Sequence, residues 1–223
     1  MDPRTIAQLI DHTLLLPDAV AAEIERLCEE AIRHGFHAVC VQPGQVPRSA
    51  ARLVRTPVRV CTVAGFPLGA NRTSTKVHEA RQAIDDGARE IDMVLAIGPL
   101  KQGDTRAVLR DIGEVVEACH SGGALCKVIL ETCLLTDAEK ELACAISADA
   151  DADFVKTSTG FAAAGATVAD VALMSRLVKP KGLGVKAAGG IRSLADLQIM
   201  VTAGATRIGT SSGVKILQEA AGA

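Results

Sequence analysis

Three features of the sequence predict an α/β chain folded as one (β/α)8 TIM barrel over residues 1–223, with a short helix ahead of the first strand. Eight short runs rich in β-branched and apolar residues recur along the 223 residues. Segments of helical period separate them. No linker, low-complexity tract or shift in composition divides the chain, and barrels of this kind begin near 200 residues. A doubly wound open sheet is the alternative. Gly182, Gly184 and Ala187 match a loose dinucleotide pattern, but these glycines precede the apparent strand, where a dinucleotide loop must follow one.

The first strand run covers 9–14 and carries Asp11 and His12. Val20, Ile24, Leu27 and Ala31 then repeat at helical spacing up to Gly35, and runs at 38–41 and 58–63 follow. A second amphipathic stretch uses Val77, Ala80 and Ile84 before Gly87, where glycine suits a helix end. The run at 90–94 contains Asp92; Val108, Ile112 and Val115 form the next apolar face, and a run at 126–131 contains Lys127 and Glu131. Thr136 with Glu139, and Ser193 with Asp196, have the spacing of capping boxes just ahead of apolar stretches, so helices are expected to start there. Runs at 154–157, 184–187 and 206–210 complete the eight.

Composition excludes several functions. The 24 basic and 26 acidic residues leave a net charge of -2, so no global field draws nucleic acid or an anionic membrane. With no Trp, no Tyr and only 4 Phe, the stacking platforms of single-strand binders are missing. Leu14, Leu15 and Leu16 are too few to suggest a secretion signal, and charges interrupt every apolar stretch before membrane-span length. Seven cysteines without a CxxC pair fit reduced, mostly core residues and a cytoplasmic location.

Chemistry is most visible at two lysines. Lys156 lies in Phe154-Val155-Lys156-Thr157-Ser158-Thr159-Gly160, and Lys186 in Gly184-Val185-Lys186-Ala187-Ala188-Gly189-Gly190. A lysine in a buried strand must lose its proton, find a partner or reach a polar cavity. One such lysine most often snorkels to water. Two in matching contexts on the sixth and seventh strands point instead to a shared site at the barrel mouth. Attack on a carbonyl needs a neutral amine, and lowering a lysine pKa by about three units costs about 4 kcal/mol, within reach of burial plus a neighbouring cation. Asp92 puts a carboxylate into an apolar strand, either as an ion-pair partner or as a proton carrier. Asp11, Lys127 and Glu131 sit similarly in strand runs, either as parts of the same polar layer or as charges that merely balance one another.

Gly189 and Gly190 after the seventh strand, and Gly209-Thr210-Ser211-Ser212-Gly213 after the eighth, suit phosphate: glycine lets backbone amides approach an anion and a following helix start adds partial positive charge. Glycine at a tight turn is the plainer reading of either alone. Thr157, Ser158 and Thr159 are possible substrate contacts. His12, His34, His37, His78 and His120 are scattered and form no ligand pattern, so no metal is expected; His34 and His37 read as surface residues.

The segments around Lys156, Lys186 and Asp92, together with Ile10-Asp11-His12-Thr13-Leu14, Cys61-Thr62-Val63-Ala64-Gly65-Phe66-Pro67 and Lys127-Val128-Ile129-Leu130-Glu131-Thr132, resemble the deoxyribose-phosphate aldolase family along nearly the whole chain. The resemblance implies a class I aldolase without metal or organic cofactor, cleaving 2-deoxy-D-ribose 5-phosphate reversibly to acetaldehyde and D-glyceraldehyde 3-phosphate. It also implies Lys156 as the Schiff-base lysine, Lys186 as the neighbour that lowers its pKa and takes part in proton relay, and Asp92, with a water, as proton carrier. Gly189, Gly190, Ser211, Ser212, Thr159 and Gly160 become substrate or phosphate contacts, and a homodimer or homotetramer is expected. Two positions depart from the pattern. The sequence has no Tyr, which some members use near the C-terminus for proton transfer, and Phe161 stands where some carry a phosphate-holding lysine. Cys40 is a candidate for aldehyde modification if it lies near the mouth. Two other readings are an imine-forming aldolase for a different donor and a silent phosphosugar-binding barrel.

Overall fold

Eight parallel strands, joined in sequence order and closed by pairing of the last with the first, form the barrel in this computed structural model, which describes residues 1–222. Ala223, the end of the expected domain, lies outside the described residues. The strands are β1 (Ile10–Leu14), β2 (Ala38–Val41), β3 (Arg59–Ala64), β4 (Glu90–Val94), β5 (Leu125–Ile129), β6 (Phe154–Lys156), β7 (Gly184–Ala188) and β8 (Arg207–Thr210). Helix α1 (Pro3–Ala7) precedes them as expected, and α2 (Ala21–His34), α3 (Val46–Leu53) and α4 (Thr73–Asp85) follow β1, β2 and β3. After β4 come α5 (Ile97–Lys101) and α6 (Thr105–Ser121), after β5 α7 (Asp137–Asp149), after β6 α8 (Val168–Val178), after β7 α9 (Leu194–Thr202) and after β8 α10 (Gly213–Ala221).

Local chemistry sets the helix ends. Thr136 and Glu139 form the expected capping box of α7, as Ser193 and Asp196 do for α9. Helix α2 stops at Gly35, which takes the left-handed conformation at φ 67°, a shape that costs glycine little. Strand residues alternate between two environments, as a period of two requires. Val39, Val41, Ile91, Met93, Val128 and Ile208 pack outward into one core with apolar helix residues such as Ile24 and Ile112. Among the described residues, no helix is long and apolar enough to cross a membrane.

One predicted run ends early. The 126–131 run stops as a strand at Ile129, because Glu131 adopts a left-handed backbone at φ 54° and turns the chain out of the ladder.

A buried ion pair ties the outer layer to the barrel. Lys76 on α4 donates to Asp111 on α6 at 2.6 Å and to the Val94 carbonyl at the end of β4 at 2.8 Å, while Thr73 holds the other Asp111 oxygen at 2.9 Å. Lys76 is fully enclosed. Removing one partner strands the other charge, so Asp111→Ala is expected to cost about 3–5 kcal/mol and lower Tm by roughly 10 °C. A thermal melt that moved by less than about 2 °C would show that the pair contributes little.

Candidate active site

The barrel interior has two halves. Toward β1–β3 it is apolar and thiol-lined, with Leu15, Ala38, Cys40, Cys61 and Val63 packed together beside Phe66. Toward β4–β8, and from Asp11 on β1, it is ionic. Three carboxylates, Asp11, Glu90 and Asp92, meet four cations, Lys127, Lys156, Lys186 and Arg207, and all seven side chains are at most 7% exposed.

Asp92 is the hub. Its Oδ2 accepts from Lys156 Nζ at 2.9 Å and Lys186 Nζ at 2.8 Å, and its Oδ1 accepts from Lys127 Nζ at 2.8 Å and from Cys61 Sγ at 3.2 Å. Lys156 and Lys186 stand opposite each other in the β6–β7 register, which is why one oxygen reaches both. Lys186 also donates to Asp11, and Lys127 lies 2.7 Å from Glu90. Arg207 closes the base of the network with 2.9 Å to Asp11 and 2.8 Å to Glu90. Gly209 makes room for this arrangement: a Cβ there would come 3.1 Å from Lys186 Cε.

The charges fix one another's ionisation. Burial alone would raise the Asp92 carboxyl, but Lys127, Lys156 and Lys186 outweigh it and hold it well below the usual carboxylate range. Burial would lower the Lys186 ammonium, yet Asp11 and Asp92 push it above its ordinary value; Lys127 is raised in the same way, chiefly by Asp92 against its burial. Both remain cations at neutral pH. Two groups of metal-type ligands, Cys40 with Cys61 and Asp92, and Asp11 with Cys61 and Glu90, have donor atoms within 4.8 Å of one another. Their carboxylates already face ammonium groups, and like charge opposes a metal ion there.

A cavity of about 550 Å3 opens above this network at the C-terminal ends of the strands. Lys156 reaches it, with Thr159, Gly160, Gly189, Gly190 and Ser211 around it. Lys186 and Asp92 lie beneath, with no exposed side-chain surface. Ser212 does not line the cavity; its amide donates to Thr210 Oγ1 at 2.9 Å just before α10 begins. Gly165 and Gly189 bring the loops after β6 and β7 together, since a Cβ on Gly165 would fall 2.2 Å from the Gly189 carbonyl oxygen. Arg192, Thr13, Leu14 and Leu16 also line the cavity. Sequence reasoning did not single them out as site residues, although Arg192 stands two residues beyond the Gly189-Gly190 pair. Cys40 is fully buried in register with Cys61 and does not line the cavity. The neighbouring Cys61 is the larger influence on its thiol and lowers it, against burial, which would raise it.

Three sequence expectations need correction. Glu131 is not part of the barrel's ionic layer; it accepts from Thr159 at the rim. His37 is not a free surface residue, since its Nε2 lies 2.9 Å from buried Glu90 at the base of the barrel. His34 is half-buried, its ring packed 5.7 Å from that of Phe36.

A closed (β/α)8 barrel with a lysine-bearing cavity at the C-terminal ends of its strands has the layout of the barrel enzymes. The chain belongs to the DeoC/LacD aldolase family, whose model matches residues 5–219. It is 58% identical over 212 residues, 95% of this chain and 95% of the relative, to the deoxyribose-phosphate aldolase of Streptococcus uberis. Identity to the enzyme of that name from Thermococcus gammatolerans is 55% over 217 residues, 96% of each chain. Among solved structures, the tetrameric deoxyribose phosphate aldolase of Aeropyrum pernix is 38% identical and superposes with a TM-score of 0.92, covering 99% of this chain and 92% of that one.

The depressed Asp92 carboxyl carries a stability signature. Its contribution is fully present above the ordinary carboxylate value of about 3.8 and is lost as pH falls through its lower folded-state value. Asp92→Asn is therefore expected to lose about 3–5 kcal/mol of unfolding free energy between about pH 5 and pH 8. The gap to the unmodified protein should close on acidification below about pH 4. Urea titrations in which the gap widened toward acid would contradict the assignment.

Proposed function

We propose that the chain is a Schiff-base (class I) deoxyribose-phosphate aldolase, reversibly cleaving 2-deoxy-D-ribose 5-phosphate to acetaldehyde and D-glyceraldehyde 3-phosphate, with Lys156 as the imine-forming amine. The relatives' names supply the substrate. The observation that supports Lys156 is its position: of the three lysines on Asp92, it alone lines the cavity. Its amine also has a single carboxylate partner, whereas Lys127 and Lys186 each hold more than one. Charge agrees. With Lys127, Lys186 and Arg207 as cations, the three carboxylates are already balanced, so the Lys156 charge is the one the cluster does not need.

In the cleavage direction the neutral Lys156 amine attacks the aldehyde carbon of the open-chain sugar, and the carbinolamine loses water to give an iminium. The C3 hydroxyl gives up its proton, the C2–C3 bond breaks, and its electron pair flows into the iminium to form an enamine. Protonation at C2 and hydrolysis release acetaldehyde and restore the amine. At neutral pH the resting Asp92 is a carboxylate that stabilises the iminium and takes up a proton only transiently as it passes between Lys156, Lys186 and water in the cavity. The phosphate sits over Gly160, Gly189, Gly190 and Ser211, where α10 starts, with Ser212 and Thr159 shaping the backbone of the two loops. Arg192 supplies the cation that Phe161 does not. A homo-oligomer, in keeping with the tetrameric Aeropyrum pernix relative, a single domain over 1–223 and a cytoplasmic location complete the reading.

Acetaldehyde with borohydride is expected to leave one reduced two-carbon adduct, placed on Lys156 by peptide mass spectrometry. Labelling confined to Lys186 would overturn the assignment. Lys156→Arg should abolish both cleavage and trapping. Asp92→Asn should lower kcat by about 10²–10⁴-fold, the size of a lost proton-transfer or charge-stabilising group, and a kcat within about twofold of the parent would remove Asp92 from the mechanism.

A further inference from the structure

We infer that Glu131 is a positioning residue that holds the rim loop after β6 so that the Gly160 amide is presented to the substrate phosphate, an inference that rests on the phosphate site proposed above. Glu131 is 2% exposed and has no basic group within ion-pair distance among the described residues. A buried carboxylate without a cation is costly unless hydrogen bonds satisfy it. All the side-chain bonds it accepts come from Thr159. The Thr159 amide lies 3.3 and 3.4 Å from its two oxygens, and the Thr159 hydroxyl donates to Oε2.

The backbone shows how Glu131 reaches this place. On one side of it the Leu130 amide donates to the Lys156 carbonyl at 2.9 Å, and on the other the Thr132 amide donates to the Thr157 carbonyl at 2.9 Å. Glu131 is thus an extra residue between two consecutive rungs, in a left-handed conformation at φ 54° that ordinary side chains avoid. Such an irregularity re-aims one side chain where the ladder ends, with one backbone bond kept on either side of it. Here it turns the carboxylate onto the segment that begins immediately after the reactive lysine.

The consequence falls on the donors available to an anion. Both Thr159 donors are engaged by Glu131, and the Thr159 hydroxyl in turn accepts from the Phe161 amide at 3.1 Å. That leaves Gly160, which lines the cavity at φ 87° and whose amide donates to no acceptor among the described residues. Thr159 therefore acts on the substrate through the loop it anchors, and Glu131 decides which amide the loop offers.

Steady-state cleavage of 2-deoxyribose 5-phosphate and of unphosphorylated 2-deoxyribose separates this role from a general one. Glu131→Ala is expected to raise KM for the phosphorylated sugar about tenfold, the loss of one charge-assisted hydrogen-bonded anchor. Its kcat, its pH profile and its activity on the unphosphorylated sugar should stay within about twofold. Glu131→Gln keeps an oxygen for the Thr159 amide and should recover most of the affinity, while Thr159→Val, which loses the hydroxyl donor, should raise KM for the phosphorylated sugar in the same direction as Glu131→Ala. If Glu131→Ala does not fold, the other two variants carry the same comparison. Equal losses on both sugars, or a fall in kcat with KM unchanged, overturn the positioning role. Unchanged KM in the Glu131 variants beside a raised KM in Ser211→Ala overturns it alone; unchanged KM in all of them overturns the phosphate site beneath it.

Discussion

One carboxylate, that of Asp92, makes the interior of this barrel possible. Three ammonium groups within hydrogen-bonding distance of one side chain, two enclosed and the third all but buried, would repel one another and forfeit most of their hydration. Asp92 divides its two oxygens among them, Oδ1 to Lys127 and Oδ2 to Lys156 and Lys186. Asp11 and Glu90 then absorb the remaining charge of Lys127 and Lys186, and Arg207 neutralises those two acids from below. The contacts link strands that are not neighbours, β4 to β6 and β7, and β8 to β4. A network of this kind is stiff because each ion is held by more than one partner, and stiffness is what a site needs when an amine must meet a carbonyl at a fixed distance.

The two halves of the interior complement each other. The apolar side, built from Ala38, Cys40, Cys61 and Val63, brings low polarisability up to the edge of the ionic side and so strengthens every interaction there. Cys61 sits at the seam, donating to Asp92 at 3.2 Å and receiving from Lys127 at 3.4 Å. Burial drives its thiol well above the ordinary range, with Asp92 adding to the shift, so it serves as a neutral donor that adds no further charge to a balanced cluster. Seven cysteines in this chain thus need no common explanation: Cys61 is part of the electrostatics, Cys133 is exposed, and the others fill apolar positions.

Much of this was legible from the sequence, for definite reasons. Strands announce themselves by a period of two, and the runs at 38–41 and 90–94 are β2 and β4 to the residue. Charges inside such runs stand out, so Lys156, Lys186 and Asp92 were visible, as were Asp11 and Lys127. Their pairing was not. Lys186 and Asp11 are 175 residues apart, and Lys127 and Asp92 are 35 apart; only closure of the barrel brings them together. Arg207 gives no such signal, because an arginine at the start of a strand usually points to water. Glu131 looked like one more strand charge because spacing carries no sign of a left-handed backbone. His37 looked exposed because its partner, Glu90, comes from a strand 53 residues away.

The difference in setting between the two lysines also lies outside their own motifs. Lys156 and Lys186 face each other across one register position and share one oxygen, so neither local sequence nor depth along the strand separates them. The asymmetry comes from the next strands around the barrel. Gly209 on β8 leaves open the space beside the Lys186 stem, and Asp11 on β1 takes its ammonium into a second ion pair. A lysine bound on both sides stays charged and stays down. Nothing comparable exists on the other flank of Lys156, whose neighbour on β5 in register is Ile129. Its amine is left with a single carboxylate and an opening into the cavity. A missing side chain on one strand and an acid on another therefore decide which of two similar lysines is held inside and which opens into the cavity.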